Sequence, residues 1–195
     1  MDTLKIDDDP YGFANKILND LKSSQNMRLL KCVQCGMCTS TCPSAKNSKY
    51  NPRDMVEKVL SGDESVIENK DIWNCFYCYT CHSICPVGNS PCEVNQVLRQ
   101  LTIAKGVAND EISPFADFGD KMLDLGLGGI PSNFYADLKR DIGEEWMEKN
   151  LNLDKIRKEL GLEPIKMPDE SIEEIRTLLK QTNFDKRLKK IKGDD

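Results

Sequence analysis

No stretch of this 195-residue chain approaches the ~18 uninterrupted apolar residues that a membrane-spanning helix needs. Alternation of apolar and β-branched residues never lasts more than a few positions, so strand signals are almost absent. A basic excess is missing too: 27 Lys and Arg face 32 Asp and Glu, a net charge of -5, which argues against a general nucleic-acid binder. The opening MDTLKIDDDP places Asp2, Asp7, Asp8 and Asp9 where a secretory leader would carry basic residues and then an apolar stretch. A cytoplasmic chain with no membrane segment is the resulting expectation. What remains, 39% apolar and 30% charged residues, suits a folded chain with a modest core.

The helical signals are plentiful. Asp9 and Pro10 read as an N-cap and first-turn proline, with Phe13, Ala14, Ile17, Leu18 and Leu21 at helical spacing and an end near Ser24 to Asn26. Asn51, Pro52 and Asp54 start a second helix through Met55, Val56, Val59 and Leu60, stopped by Gly62. Ser90, Pro91 and Glu93 form a capping-box pattern ahead of Val94, Val97, Leu98 and Leu101, with Gly106 as terminator. A change of character near residue 110 predicts a domain over 1–110 and a helical C-terminal arm over 111–195. In the arm, Ser113-Pro114 opens a short helix that Gly126 to Pro131 interrupts, and two or three further helices follow. Asp154 to Leu160 and Asp169 to Gln181 are the clearest; Phe184, Leu188 and Ile191 continue the spacing among Lys186, Arg187, Lys189, Lys190 and Lys192.

Nine cysteines are present, an odd number that suits a disulfide framework poorly in a reducing compartment. Eight of them form two runs. Cys32, Cys35, Cys38 and Cys42, followed by Pro43, have the spacing C-x2-C-x2-C-x3-C-P. Cys75, Cys78, Cys81 and Cys85, followed by Pro86, repeat it without a gap. Three thiolates on one tight loop can each reach one iron of a cubane, and the proline after the fourth directs that cysteine away. Zinc sites are built from paired C-x2-C elements a dozen or more residues apart, so this spacing points to iron–sulfur clusters instead.

Several neighbours read in two ways. Gly36, inside the first loop, reads as room for close backbone approach to a cluster. Trp73, Phe76, Tyr77 and Tyr79 read as packing, with shielding of a cluster as the sharper alternative. Lys31, Lys46, Lys49, Arg53 and Arg99 read mainly as solvated surface charge, His82 as a bystander, and Cys92 as a small buried apolar residue.

The duplicated run resembles two-cluster ferredoxins, in which the fourth cysteine of each run ligates the other cluster. That resemblance implies two [4Fe-4S] clusters, one on Cys32, Cys35, Cys38 and Cys85, the other on Cys75, Cys78, Cys81 and Cys42. The helix between the runs is unlike small bacterial ferredoxins. It is similar to the mainly α, α-helical ferredoxin domain of succinate dehydrogenase, glycolate oxidase and heterodisulfide reductase iron–sulfur subunits. The stretches Asn51 to Gly62 and Ile72 to Cys81 resemble most closely the C subunit of heterodisulfide reductase, and Lys155 to Pro164 is loosely similar to the end of that protein. No cysteine precedes Cys32, where a [2Fe-2S] domain would have them, and none follows Cys92 to form Cys-Cys repeats.

What the resemblance implies is an electron relay without a catalytic residue of its own. A flavin-containing A subunit that bifurcates electron pairs would be the donor. A cysteine-rich B subunit that reduces the coenzyme M/coenzyme B heterodisulfide in methanogenesis would be the acceptor. A freely diffusing ferredoxin, the iron–sulfur subunit of another flavin-linked dehydrogenase, and a regulatory or structural module are the alternatives.

Overall fold

The computed structural model describes residues 9, 11–21, 23–131 and 134–193. The expected proline start at Pro10 and the acids Asp2, Asp7 and Asp8 lie outside the described residues. Helices and turns account for all the regular structure, and no strand forms among the described residues. None of the described helices is long and apolar enough to cross a membrane. The chain divides into two compact units, Met1–Ala108 and Asn109–Asp195.

In the first unit, helix α1 (Gly12–Leu18) is shorter than its apolar spacing predicts. The Ser23 hydroxyl donates to the Ile17 carbonyl, at 2.5 Å, and the chain turns there, leaving Leu21 fully exposed rather than on the buried stripe. Two short helices follow the first cysteines, α2 (Met37–Ser40) and α3 (Pro43–Asn47). Helix α4 (Pro52–Leu60) starts as expected: the Asn51 side chain accepts from the N–H groups of Arg53 and Asp54, and Pro52 occupies the first helical position. Tight turns over 64–68 and 70–74 lead to the second run, which carries the short α5 (Thr80–Ser83). Then α6 (Pro91–Lys105) closes the unit.

The expected capping box on α6 does not form, since Ser90 makes no side-chain cap bond. Glu93 instead accepts from the Ser24 N–H at 2.9 Å, which anchors the chain after α1. The core lies between α1, α4, α6 and the 64–74 turns. Ile17, Leu29, Val56, Val59, Val66, Ile67, Ile72, Val94, Val97 and Leu98 are all essentially fully buried. Each such side chain is worth about 1.5–3 kcal/mol over leaving it in water. Cys32, Cys42 and Cys75 pack against this core, so the two cysteine loops grow directly from its surface.

The second unit holds α7 (Asn109–Ile112), α8 (Ala116–Leu125), α9 (Tyr135–Ile142), α10 (Glu144–Leu151), α11 (Leu153–Glu159), α12 (Asp169–Gln181) and α13 (Phe184–Lys192). That is more helix than the expected two or three further elements. Helices α8, α12 and α13 pack together, with Ile172 and Leu188 buried among them. Gly119 makes this possible: a Cβ there would stand 2.9 Å from Leu188 Cδ1. The Arg176 guanidinium donates to the Leu123 carbonyl at 2.7 Å, satisfying the end of α8 from α12.

Candidate metal centre

The two cysteine runs fold alike because their backbones solve the same problem. Gln34 and Gly36 have φ of 54° and 80°, and Tyr77 and Tyr79 at the matching places have 53° and 59°. A left-handed residue on each side of the middle cysteine curls each loop so that its cysteines face inward. Gly36 is therefore used for conformation, and a Cβ there would meet only Arg53 Cδ, at 3.8 Å. Tyr79 adopts the same region at a steric cost.

The four sulfur-bearing residues Cys32, Cys35, Cys38 and Cys85 line one cavity of about 380 Å³. Cys42, Cys75, Cys78 and Cys81 line another of about 320 Å³. In each, three cysteines come from one run and the fourth from the other. Backbone and side-chain bonds hold this exchange. The Ser44 hydroxyl donates to the Asn74 carbonyl, the Arg28 N–H to the Gly88 carbonyl at 3.2 Å, and the Asn89 N–H to Cys85 Sγ at 3.2 Å.

Among the described residues no three His, Cys, Asp or Glu side chains converge as the ligands of a single ion would. The all-thiol donor set gathered at each cavity fits iron–sulfur chemistry. The middle cysteines Cys35 and Cys78 are exposed and the other six half-buried, so each site has one outward edge.

Burial raises the thiol pKa values of Cys38 and Cys75, while the Thr80 side chain and N–H lower that of Cys78. The Tyr50 phenol, buried and bonded to Met55 Sδ at 3.7 Å, is held neutral by burial and the neighbouring Cys75.

The profile of the 4Fe-4S dicluster domain family matches residues 28–89, which contain both runs. Over 180 residues the chain is 37% identical to the C subunit of a ferredoxin:CoB-CoM heterodisulfide reductase of Methanosarcina acetivorans, covering 92% of this chain and 72% of that one. It is 30% identical over 201 residues to an iron-sulfur C2 subunit of the CoB–CoM heterodisulfide reductase of Methanocaldococcus jannaschii, covering 96% and 94%. The C2 subunit of an H2/formate:CoB-CoM heterodisulfide,ferredoxin reductase of Methanococcus maripaludis is 29% identical over 193 residues, covering 95% and 94%.

The chain belongs to the family of heterodisulfide reductase C subunits. As a member with a dicluster domain, it carries two [4Fe-4S] clusters.

In this member of the family several neighbours of the cysteines sit otherwise than their sequence suggests. Arg99 is not a surface charge. Its guanidinium lies 4.8 Å from the Trp73 ring centroid and 4.6 Å from that of Tyr77, and donates to the carbonyls of Ile72 and Cys75, each at 2.9 Å. With Asn95 donating to Ile72 O and Thr102 to Ile67 O, it forms a polar ridge along α6 that fastens 67–75 to the helix. The spacing of 95, 99 and 102 along one helix face was the available signal.

Phe76 is 72% exposed and Tyr79 40%, so packing accounts for Trp73 and Tyr77 but not for these two. Cys92 is buried as expected, yet it also lines the second cavity together with Cys81. His82 is exposed and meets the Tyr79 ring edge-on with 6.5 Å between centroids. Lys31, Lys46 and Lys49 are exposed, as surface charges should be.

Proposed function

We propose that this chain is the electron-transfer iron–sulfur subunit of a heterodisulfide reductase complex, standing between a flavin-containing A subunit and a catalytic B subunit that reduces the coenzyme M/coenzyme B heterodisulfide. The observation that carries the reading is the pair of sulfur-lined cavities in one small unit, each with one exposed cysteine. In this reading Cys32, Cys35, Cys38 and Cys85 hold one cluster, and Cys42, Cys75, Cys78 and Cys81 hold the other. When bound, the clusters supply one-electron oxidation and reduction.

The chain's own residues do the rest. The runs hold the thiolates, the core beneath Cys32, Cys42 and Cys75 keeps their spacing, and the Arg99 ridge keeps the second loop from spreading. Cys35 and Cys78 mark the two edges at which a partner comes nearest. No residue of this chain is assigned to heterodisulfide chemistry, which the reading places on the B subunit. Residues 109–195 are assigned to docking that B subunit, which a freely diffusing ferredoxin would not need, and the complex is placed in the cytoplasm.

Anaerobic purification tests this. The full chain, and a chain ending at Ala108, should each hold about eight iron and eight acid-labile sulfide, four per cluster. Only the full chain should co-purify with the B subunit. Four iron, or stoichiometric zinc, refutes the two-cluster reading; equal B-subunit capture by both chains refutes the docking role.

A further inference from the structure

The repeat extends beyond the cysteines. Each run is followed by a helix with the same start: Asn51 and Pro52 for α4, Ser90 and Pro91 for α6. The two starts enter the cavities crosswise. Pro91 and Arg53 line the first cavity, and Pro52 and Cys92 line the second. Arg53 and Cys92 thus occupy equivalent places, the second position of their helices, over different sites. Here the repeat gives one cavity an arginine and the other a cysteine.

Arg53 is exposed, and its side chain crosses Gly36, inside the first ligand loop, with Cδ 3.8 Å from where a Cβ would stand. Cys92 is only 1% exposed. Its sulfur lies 3.3 Å from the Ser90 hydroxyl, which is itself fully buried, and it lines the second cavity together with Cys81. A buried hydroxyl needs an acceptor. Ser90 has Cys92 Sγ within reach, which leaves the single Cys92 S–H free to donate onward into the second cavity, whose lining includes Cys81. When Cys81 is a cluster thiolate it is the better acceptor, and the chain runs Ser90 O–H to Cys92 S–H to Cys81 sulfur.

Reduction adds one negative charge to a site already negative from its four thiolates. A nearby cation or a hydrogen bond to a ligand sulfur stabilises the reduced form and raises the midpoint potential. We propose that the second position of these two helices sets the potential of each site separately: Arg53 raises the first by its charge, and Cys92 raises the second by a hydrogen bond to Cys81. The inference rests on the two-cluster reading above. Because Arg53 is exposed and Cys92 buried, salt screens the first effect and leaves the second.

The test is a potentiometric titration of the anaerobic full chain, followed by the electron paramagnetic resonance of the reduced clusters, with iron measured on every sample. Cys35→Ser and Cys78→Ser assign the two signals. Arg53→Gln should lower the first midpoint and leave the second, Arg53→Lys should restore it, and added salt should shrink the difference. Cys92→Ala should lower only the second midpoint, Cys92→Ser should restore it, and salt should not change the shift. Variants with eight iron and unmoved midpoints overturn the inference and leave the two-cluster reading standing. Loss of four iron in Cys92→Ala also overturns it, by making Cys92 a ligand. A parent chain with fewer than eight iron sinks both.

Discussion

Tyr79 and Gly36 occupy the same place in the two ligand loops, yet only one of them is suited to its backbone. A side chain in the left-handed region costs roughly 1–2 kcal/mol, and glycine avoids that cost. Tyr79 at φ 59° therefore stores strain in the loop that carries Cys78 and Cys81. Comparing Tyr79→Gly with Tyr79→Ala isolates this term, because both lose the ring and its contacts with His82 and Gln96 while only alanine keeps the Cβ. The glycine variant should be more stable than the alanine variant by about 1 kcal/mol in anaerobic guanidinium unfolding followed by cluster absorbance. Gly36→Ala should lose a similar amount, since its new Cβ meets nothing closer than 3.8 Å and only the backbone is strained. Equal stability of the two Tyr79 variants would sink the idea. The Tyr79 ring is 40% exposed and lines the second cavity.

At the scale of elements, α6 organises the first unit. Its apolar side supplies Val94, Val97 and Leu98 to the core, and its polar ridge grips the segment leading into the second run. Arg99→Lys keeps a charge but loses the planar fork that reaches two carbonyls at once. It should cost on the order of 2 kcal/mol and open the amides of 67–75 to hydrogen exchange, with those of α4 unaffected. Unchanged exchange across 67–75 would show that the core alone holds this segment. Element boundaries were legible where local chemistry decides them. Asn51-Pro52 starts α4, and the early acids Asp169 and Glu170 with Lys180 near the end bracket α12. They were not legible where a distant group intervenes. Nothing local announces that Ser23 will end α1 early, or that Glu93 will leave its own cap for the Ser24 N–H 69 residues away. Helices α9 and α10 escaped notice because their apolar stripes are short and each is largely exposed, with Met147 the one residue of the pair that is buried.

Across the whole molecule, the cysteine spacing pointed to a set of eight ligands, and likeness to other two-cluster proteins suggested how it is shared. Spacing alone leaves the partner of Cys42 open, because a residue directed away from its own loop has no address until the other loop is in place. The sharing has a direct test. Cys42→Ala should remove the same spectroscopic signal as Cys75→Ala and a different one from Cys32→Ala. Grouping of Cys42→Ala with Cys32→Ala would mean that each run keeps its own four ligands.

On the ligand sharing proposed above, the order in which the chain leaves the ribosome becomes a constraint on its maturation. The second cavity lacks a ligand until Cys81 has been made and the first until Cys85, so both become complete within four residues of one another, although the first three cysteines emerged some 40 residues earlier. A nascent chain stalled before Cys81 holds at most six of the eight thiols and, on that sharing, no finished site. On that sharing, biogenesis of the two centres would be synchronised by topology, and a product loaded at one site and empty at the other would have no stage of synthesis at which it is the natural intermediate.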